Sequence, residues 1–134
     1  MRFVAGEPYV RALAEIFETS EEAIRRVAIA EHSGVARRHR AHAVTRPDAI
    51  YLAISGTEFL SDPELTLHEY YHVLRQWNTG EMTRFRYVAE WLRQGCRYGK
   101  ICYEVEAREF ARRNVQRYRS LLKRPDESAR LAAG

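Results

Sequence analysis

The sequence predicts an α+β fold: one mainly helical domain over residues 1–124, with a small antiparallel sheet or hairpin beside its central helix. Three observations carry this. Apolar residues recur at helical spacing in both the N-terminal and C-terminal parts of the chain. Residues 49–55 alternate instead, with Ile50, Leu52 and Ile54 on one side and Tyr51, Ala53 and Ser55 on the other, as in a half-buried strand. The chain has 134 residues, 46% hydrophobic and 30% charged, which suffices for a single core.

Glu7-Pro8 opens the first helix, whose apolar stripe is Val10, Leu13, Ala14 and Phe17. Thr19 and Glu22 stand at capping-box spacing, so a second helix is expected with Ile24, Val27 and Ala28, ending before Gly34. Residues 38–44 and 49–55 read as extended, joined by the turn-forming group Thr45-Arg46-Pro47-Asp48. Asp62 can cap the next helix, Pro63 suits its first turn, and Ser61 with Glu64 fits the capping box. No glycine or proline interrupts residues 64–77, and Asn78-Thr79-Gly80 supplies a stop. A helix over residues 81–94 is expected to turn Met82, Phe85, Val88, Ala89 and Leu92 inward. Trp77, Phe85 and Trp91 read as core. After a loop over residues 96–101, a long helix runs from about Tyr103 to Leu122, and residues 125–134 form a frayed tail.

Composition narrows the functional classes. No apolar run approaches the ~18–20 residues needed to span a bilayer, and the N-terminus carries no signal-peptide apolar region. A cytoplasmic protein with no membrane partner is the default expectation, with export by a dedicated secretion machine left open. The net charge of +4 comes almost wholly from arginine. The arginines are spread along the chain and mostly alternate with glutamates at helical spacing, which reads as solvated helix faces rather than a nucleic-acid surface. The dense run Arg37-Arg38-His39-Arg40 is the one feature favouring nucleic acid. Cys96 and Cys102 fit neither a zinc ribbon nor a redox motif, and reduced thiols are expected.

The chemistry concentrates in His68-Glu69-Tyr70-Tyr71-His72. Four residues nearly complete a helical turn, so His68 and His72 project from one face. That spacing lets two imidazoles bind one zinc ion, while Glu69, about 100° further round, reaches a water on the metal without binding the metal itself. Tyr70 and Tyr71 read as packing residues. A catalytic zinc site takes three protein ligands plus water. No histidine follows His72, and His32, His39 and His42 lie upstream in poorer contexts. The last helix offers Glu104, Glu106 and Glu109. Relative to a core face of Ala107, Phe110, Ala111, Asn114, Tyr118 and Leu121, these lie roughly 60°, 100° and 160° from its centre. Glu104 is the expected third ligand and Glu106 the reserve.

The His-Glu-x-x-His motif followed by a helix bearing Glu-x-x-Ala resembles the gluzincin class of zinc metallopeptidases. Within that class the chain is similar to small bacterial peptidase-like domains with a His-Glu-x-x-His-Val core, a nearby glutamine and Glu-x-Glu-Ala on the last helix. Here these are His68, Glu69, His72, Val73, Gln76, Glu104, Glu106 and Ala107. The likeness covers residues 49–111, about half the chain. It implies a minimal zincin-like core and Zn2+ on His68, His72 and Glu104. It implies Glu69 as general base and a peptide or protein as substrate. Many such peptidases follow Glu-x-x-Ala with an aspartate that steadies a ligand histidine. This chain has Arg108 there, so that orientation has to come from elsewhere. Tyr98, Tyr103 and Arg108 are candidates for stabilising the transition state, and the strand over residues 49–55 could pair with an extended substrate if it sits at a sheet edge. The alternative expectation is a non-catalytic module of the same fold that holds a structural zinc and binds a partner protein.

Overall fold

The computed structural model describes residues 2–38, 41–94 and 102–124. In order along the chain are β1 (Arg2–Phe3), α1 (Glu7–Ile16), α2 (Glu21–Arg26), β2 (Ala28–Ala30) and α3 (Gly34–Arg38). Then come β3 (Ala43–Arg46), β4 (Ala49–Leu52), α4 (Gly56–Leu60), α5 (Pro63–Tyr71), a π-helical turn (His72–Trp77), α6 (Arg84–Arg93) and α7 (Cys102–Lys123). The fold is a mainly helical α+β domain, as the periodicity predicts. The expected tail beyond residue 124 lies outside the described residues.

The sheet is larger than a hairpin and mixed in direction. Its order is β1-β2-β4-β3. β3 and β4 form the expected antiparallel hairpin, with Val44 opposite Tyr51 and Thr45 opposite Ile50. β2 lies parallel to β4, and β1 pairs antiparallel with β2. Of the two extra strands, β2 comes from the segment expected to prolong the second helix. That helix is capped by Ser20, whose hydroxyl accepts from Ala23 N–H at 3.1 Å, and it ends at Arg26. Val27 then turns extended, and Ile29 is buried in the middle of the sheet. Burial of a β-branched side chain between two strands outweighs the weak local helix preference of Val27-Ala28-Ile29. Residues 34–38 form a short helix, α3, which takes in Arg38, the first residue of the segment expected to be extended; its first turn is fastened by Ser33 Oγ accepting from Val35 N–H at 3.2 Å.

The core lies between the sheet and helices α1, α2, α5 and α7. Leu13, Ile24, Ile50, Leu52, Phe59, Leu67, Tyr70 and Tyr118 are its largest fully buried side chains. α5 packs along α7 more extensively than any other two helices pack. Ala107 and Ala111 of α7 are wholly buried there, and their small side chains suit a close approach of the two helices. One glycine is demanded by packing: a Cβ on Gly56 would collide with the Phe3 ring, so β1 can lie against the start of α4 only because that side chain is absent.

Helix α6 departs from expectation. It starts at Arg84, with Thr83 Oγ accepting from Arg86 N–H at 3.1 Å, and buries none of its residues. Phe85 is 83% exposed, and Val88, Leu92 and Trp91 are exposed as well. Of the predicted inner face only Met82, which precedes the helix, is buried. Among the described residues the core is closed by α1, α5 and α7 without α6. Trp77 is half-buried rather than core, with its indole N–H donating to Thr45 Oγ1 at 3.0 Å.

Candidate metal centre

Helix α5 begins where the sequence places it. Asp62 Oδ1 accepts from Leu65 N–H at 3.1 Å, and Pro63 occupies the first turn. Thr66, fully buried, donates its hydroxyl to Phe59 O at 2.8 Å and so fixes α5 against α4. From His72 the helix widens into a π turn, with Asn78 N–H donating to Val73 O at 2.9 Å. Two contacts hold this turn in place. Asn78 and Asp48 exchange hydrogen bonds of 3.1 and 2.7 Å, joining it to the β3–β4 turn, where Asp48 has φ 53°. Arg75 donates to Phe17 O at 2.9 Å and sits 5.8 Å from the centroids of both Phe17 and Phe110.

On this framework His68 Nε2, His72 Nε2 and the Glu104 carboxylate converge. The two imidazole nitrogens lie 3.1 Å apart. Glu104 Oε2 is 3.0 Å from His68 Nε2, and the carboxylate is 3.3 Å from His72 Nε2. The edges of a coordination tetrahedron with bonds of about 2.0–2.1 Å measure about 3.3–3.4 Å, so the donor set closes around an ion with shifts of a few tenths of an ångström. These three residues can hold a metal ion. Glu104 is the carboxylate selected by helical geometry. Glu106 instead accepts from Gln76 Nε2 at 3.2 Å, and Glu109 is exposed.

The protonation states follow from burial and mutual contact. Burial disfavours the Glu104 anion, but hydrogen bonds and charge from His68 and His72 outweigh this and hold its pKa well below the ordinary value. Burial likewise disfavours the His72 imidazolium, yet the Glu104 hydrogen bond and charge raise its pKa to about 8. In the metal-free protein a proton therefore occupies part of the space that a cation fills. Glu69 is buried beside the set. Burial pushes the pKa of its carboxyl up, only partly offset by His72 and His68, which makes it a stronger proton acceptor than an exposed glutamate. Among the described residues its carboxylate has no hydrogen-bond partner.

The orientation that an aspartate at position 108 would supply comes from Gln76. Its Oε1 lies 2.6 Å from His72 Nδ1, while its amide donates to Tyr103 O at 3.0 Å and to Glu106. With the Gln76 amide nitrogen committed to two acceptors, Oε1 accepts from His72 Nδ1–H and leaves Nε2 facing the centre. Gln76 stands four residues after His72, so its place on the same helix face was legible in the sequence; its role depends on α7. Arg108 lines the cleft near His68.

A cleft crosses the centre as two cavities that share Ala41, Ala43, Glu69 and Glu104. The larger, about 590 Å³, lies toward His68 with Asp62 and Glu64 on its wall. The other, about 490 Å³, lies toward His72 between β3 and α6. β4 is internal, flanked by β2 and β3, and cannot take another strand; the free edge beside the cleft is β3. Ala53 N–H donates to His42 O at 2.9 Å, which by antiparallel alternation turns the backbone groups of Ala43 and Thr45 outward. Tyr87 of α6 enters the cavity with Glu69, His72 and Glu104. Burial, then the charges of Glu104 and Glu69, raise its phenol pKa to about 12, so it remains a donor. No sequence signal marks Tyr87, because α6 reaches the cleft only through tertiary structure. Of the earlier candidates, Tyr103 is engaged with Glu81 O at 3.1 Å, and Tyr98 lies outside the described residues.

His39 and Cys96 also lie outside the described residues, while Cys102 is a free thiol. Arg37 and Arg38 are exposed on α3. Among the described residues no helix is long and apolar enough to cross a membrane. Comparison with known proteins finds no matching family model, no matching curated protein and no matching solved structure.

Proposed function

We propose that the protein is a zinc-dependent peptidase whose metal is held by His68, His72 and Glu104, with Glu69 as general base. The convergence of three donor atoms at tetrahedral spacing, beside a buried carboxylate without a partner, is the observation that supports this most. Two imidazoles and one carboxylate suit zinc. A metal held by these three residues alone would keep a coordination position free on the cleft side, as catalytic sites do and closed structural sites do not. Zinc in such a site supplies Lewis acidity and lowers the pKa of water toward neutrality.

The chain's own residues then divide the work. Gln76 fixes the His72 tautomer. The outward backbone groups of Ala43 and Thr45 align an extended peptide along β3. Glu69 takes the proton from the attacking water and delivers it to the leaving amine nitrogen. The Tyr87 phenol donates toward the developing negative charge on the carbonyl oxygen.

Elemental analysis of protein purified without chelators, followed by Glu69→Gln, tests the proposal. One zinc per chain and cleavage of a broad peptide library are expected, with zinc kept and turnover lost in the variant. No metal after purification and no rebinding would sink it. The exposed apolar side chains Phe85, Val88 and Leu92 favour the second reading, a partner-binding module with the same metal. Stoichiometric zinc with no cleavage of any library peptide would select that reading.

A further inference from the structure

The two arms of the cleft differ in charge. The arm toward His68 carries Asp62 and Glu64 with one guanidinium, Arg108. The arm toward His72 carries two guanidiniums, Arg46 of β3 and Arg84 of α6, on walls that include Trp77, Met82 and Val88. Arg46 donates to Thr45 O at 2.9 Å. Among the described residues no carboxylate lies within ion-pair distance of either guanidinium. Burial, and next the charge of Arg84, hold the Arg46 pKa below its ordinary value. Two like charges facing one partly apolar cavity repel each other, and an anion placed between them removes that cost. Glu69 and Glu104 line the same cavity, but Glu104 is engaged by the two histidines.

We infer that the arm toward His72 is a subsite for a carboxylate carried on an apolar stem, bound by Arg46 and Arg84 with the stem against Trp77, Met82 and Val88. A carboxylate matches the planar guanidinium fork. Two parts of a peptide supply one: an acidic side chain, or the C-terminus. The inference rests on the metal-dependent cleft proposed above and names its substrate class, peptides carrying a carboxylate next to the reacting bond.

Matched hydroxamates bound to zinc-loaded protein provide the test. One pair differs only in a glutamate or glutamine side chain; a second, otherwise neutral pair differs only in a free or amidated C-terminus. The carboxylate member of at least one pair is expected to bind about 10-fold tighter. The pair that discriminates identifies the source. The preference is expected to weaken with salt and to vanish in Arg46→Gln/Arg84→Gln with zinc content unchanged. Equal affinity within both pairs, or a preference that survives the double variant, overturns the inference. A second measurement separates this from failure of the metal reading. N-acetylglutamate and N-acetylglutamine amide are titrated into metal-free protein while the arginine Nε–H NMR signals are followed. Movement of the Arg46 and Arg84 signals with N-acetylglutamate alone supports the subsite. No movement overturns it, whatever the metal content.

Discussion

The cleft has two kinds of wall. On one side α5, the π turn and α7 hold His72, Gln76, Glu69 and Glu104 buried, with His72, Gln76 and Glu104 cross-linked by hydrogen bonds. On the other, α6 buries nothing and meets α7 through Tyr87, whose ring stacks on Tyr103 at 6.3 Å between centroids, and through Glu90, which is hydrogen-bonded to Cys102. Yet α6 and the core helix α1 are each ten residues long and similarly amphipathic. α1 buries Val10, Ala12, Leu13, Ala14 and Ile16, while Phe85 of α6 stands 83% exposed. An apolar stripe makes a helix, but it is buried only if another apolar face is left to receive it. Here the buried wall carries the three residues that can hold a metal ion, and the unburied wall carries Tyr87 and Arg84.

Substitution on the two walls breaks or confirms this contrast. The largest effect is expected for Leu67→Ala on α5. Leu67 is fully buried, and its truncation is expected to cost about 2–5 kcal/mol, read from the midpoint of urea unfolding. A cost near zero would mean that the α5–α7 wall is not the packed side.

Gln76→Leu comes next. It keeps volume but removes the acceptor on His72 Nδ1, and zinc affinity is expected to fall about 10–100-fold in a competitive chelator titration. An unchanged affinity would show that Gln76 does not orient His72.

Acid–base behaviour sharpens the contrast further. The His72 pKa is raised from about 6.5 to about 8 in the metal-free fold. Its contribution, of order 1–2 kcal/mol, is fully present below pH 6.5 and lost as pH rises through about 8. Glu104, depressed by the same contact, contributes above its ordinary pKa and loses that contribution only in strong acid. Metal-free protein is therefore expected to lose thermal stability between pH 6.5 and 8.5. Zinc should remove that loss, because it displaces the proton. A flat profile without metal would contradict the His72–Glu104 contact.

The smallest effect is expected on the other wall. Phe85→Ser should change stability by no more than about 0.5 kcal/mol, measured by the same unfolding. A loss comparable to Leu67→Ala would mean that α6 is packed after all.

Much of the wall that carries His68, His72 and Glu104 was legible because its signals are local. Asp62 and Pro63 start α5, the four-residue step aligns His68 with His72, and the rotation about α7 favours Glu104 over Glu106 and Glu109. Each depends on chain geometry over a turn or two of helix. β2 was not legible, because Val27-Ala28-Ile29 is ambiguous until β4 lies beside it. Neither was the π turn, which changes hydrogen bonding without changing the apolar pattern.

By itself, the sequence determined a helical α+β domain, two imidazoles on one helix face and a carboxylate on another helix suited to meet them, since helical periodicity converts spacing directly into direction. Only the tertiary structure decided that β3 rather than β4 is the sheet edge beside the cleft, that Gln76 holds His72 Nδ1, and that Tyr87, Arg46 and Arg84 share a cavity with Glu69. These depend on which surfaces meet in the folded chain, and such meetings are fixed by competition for burial, which no local pattern records.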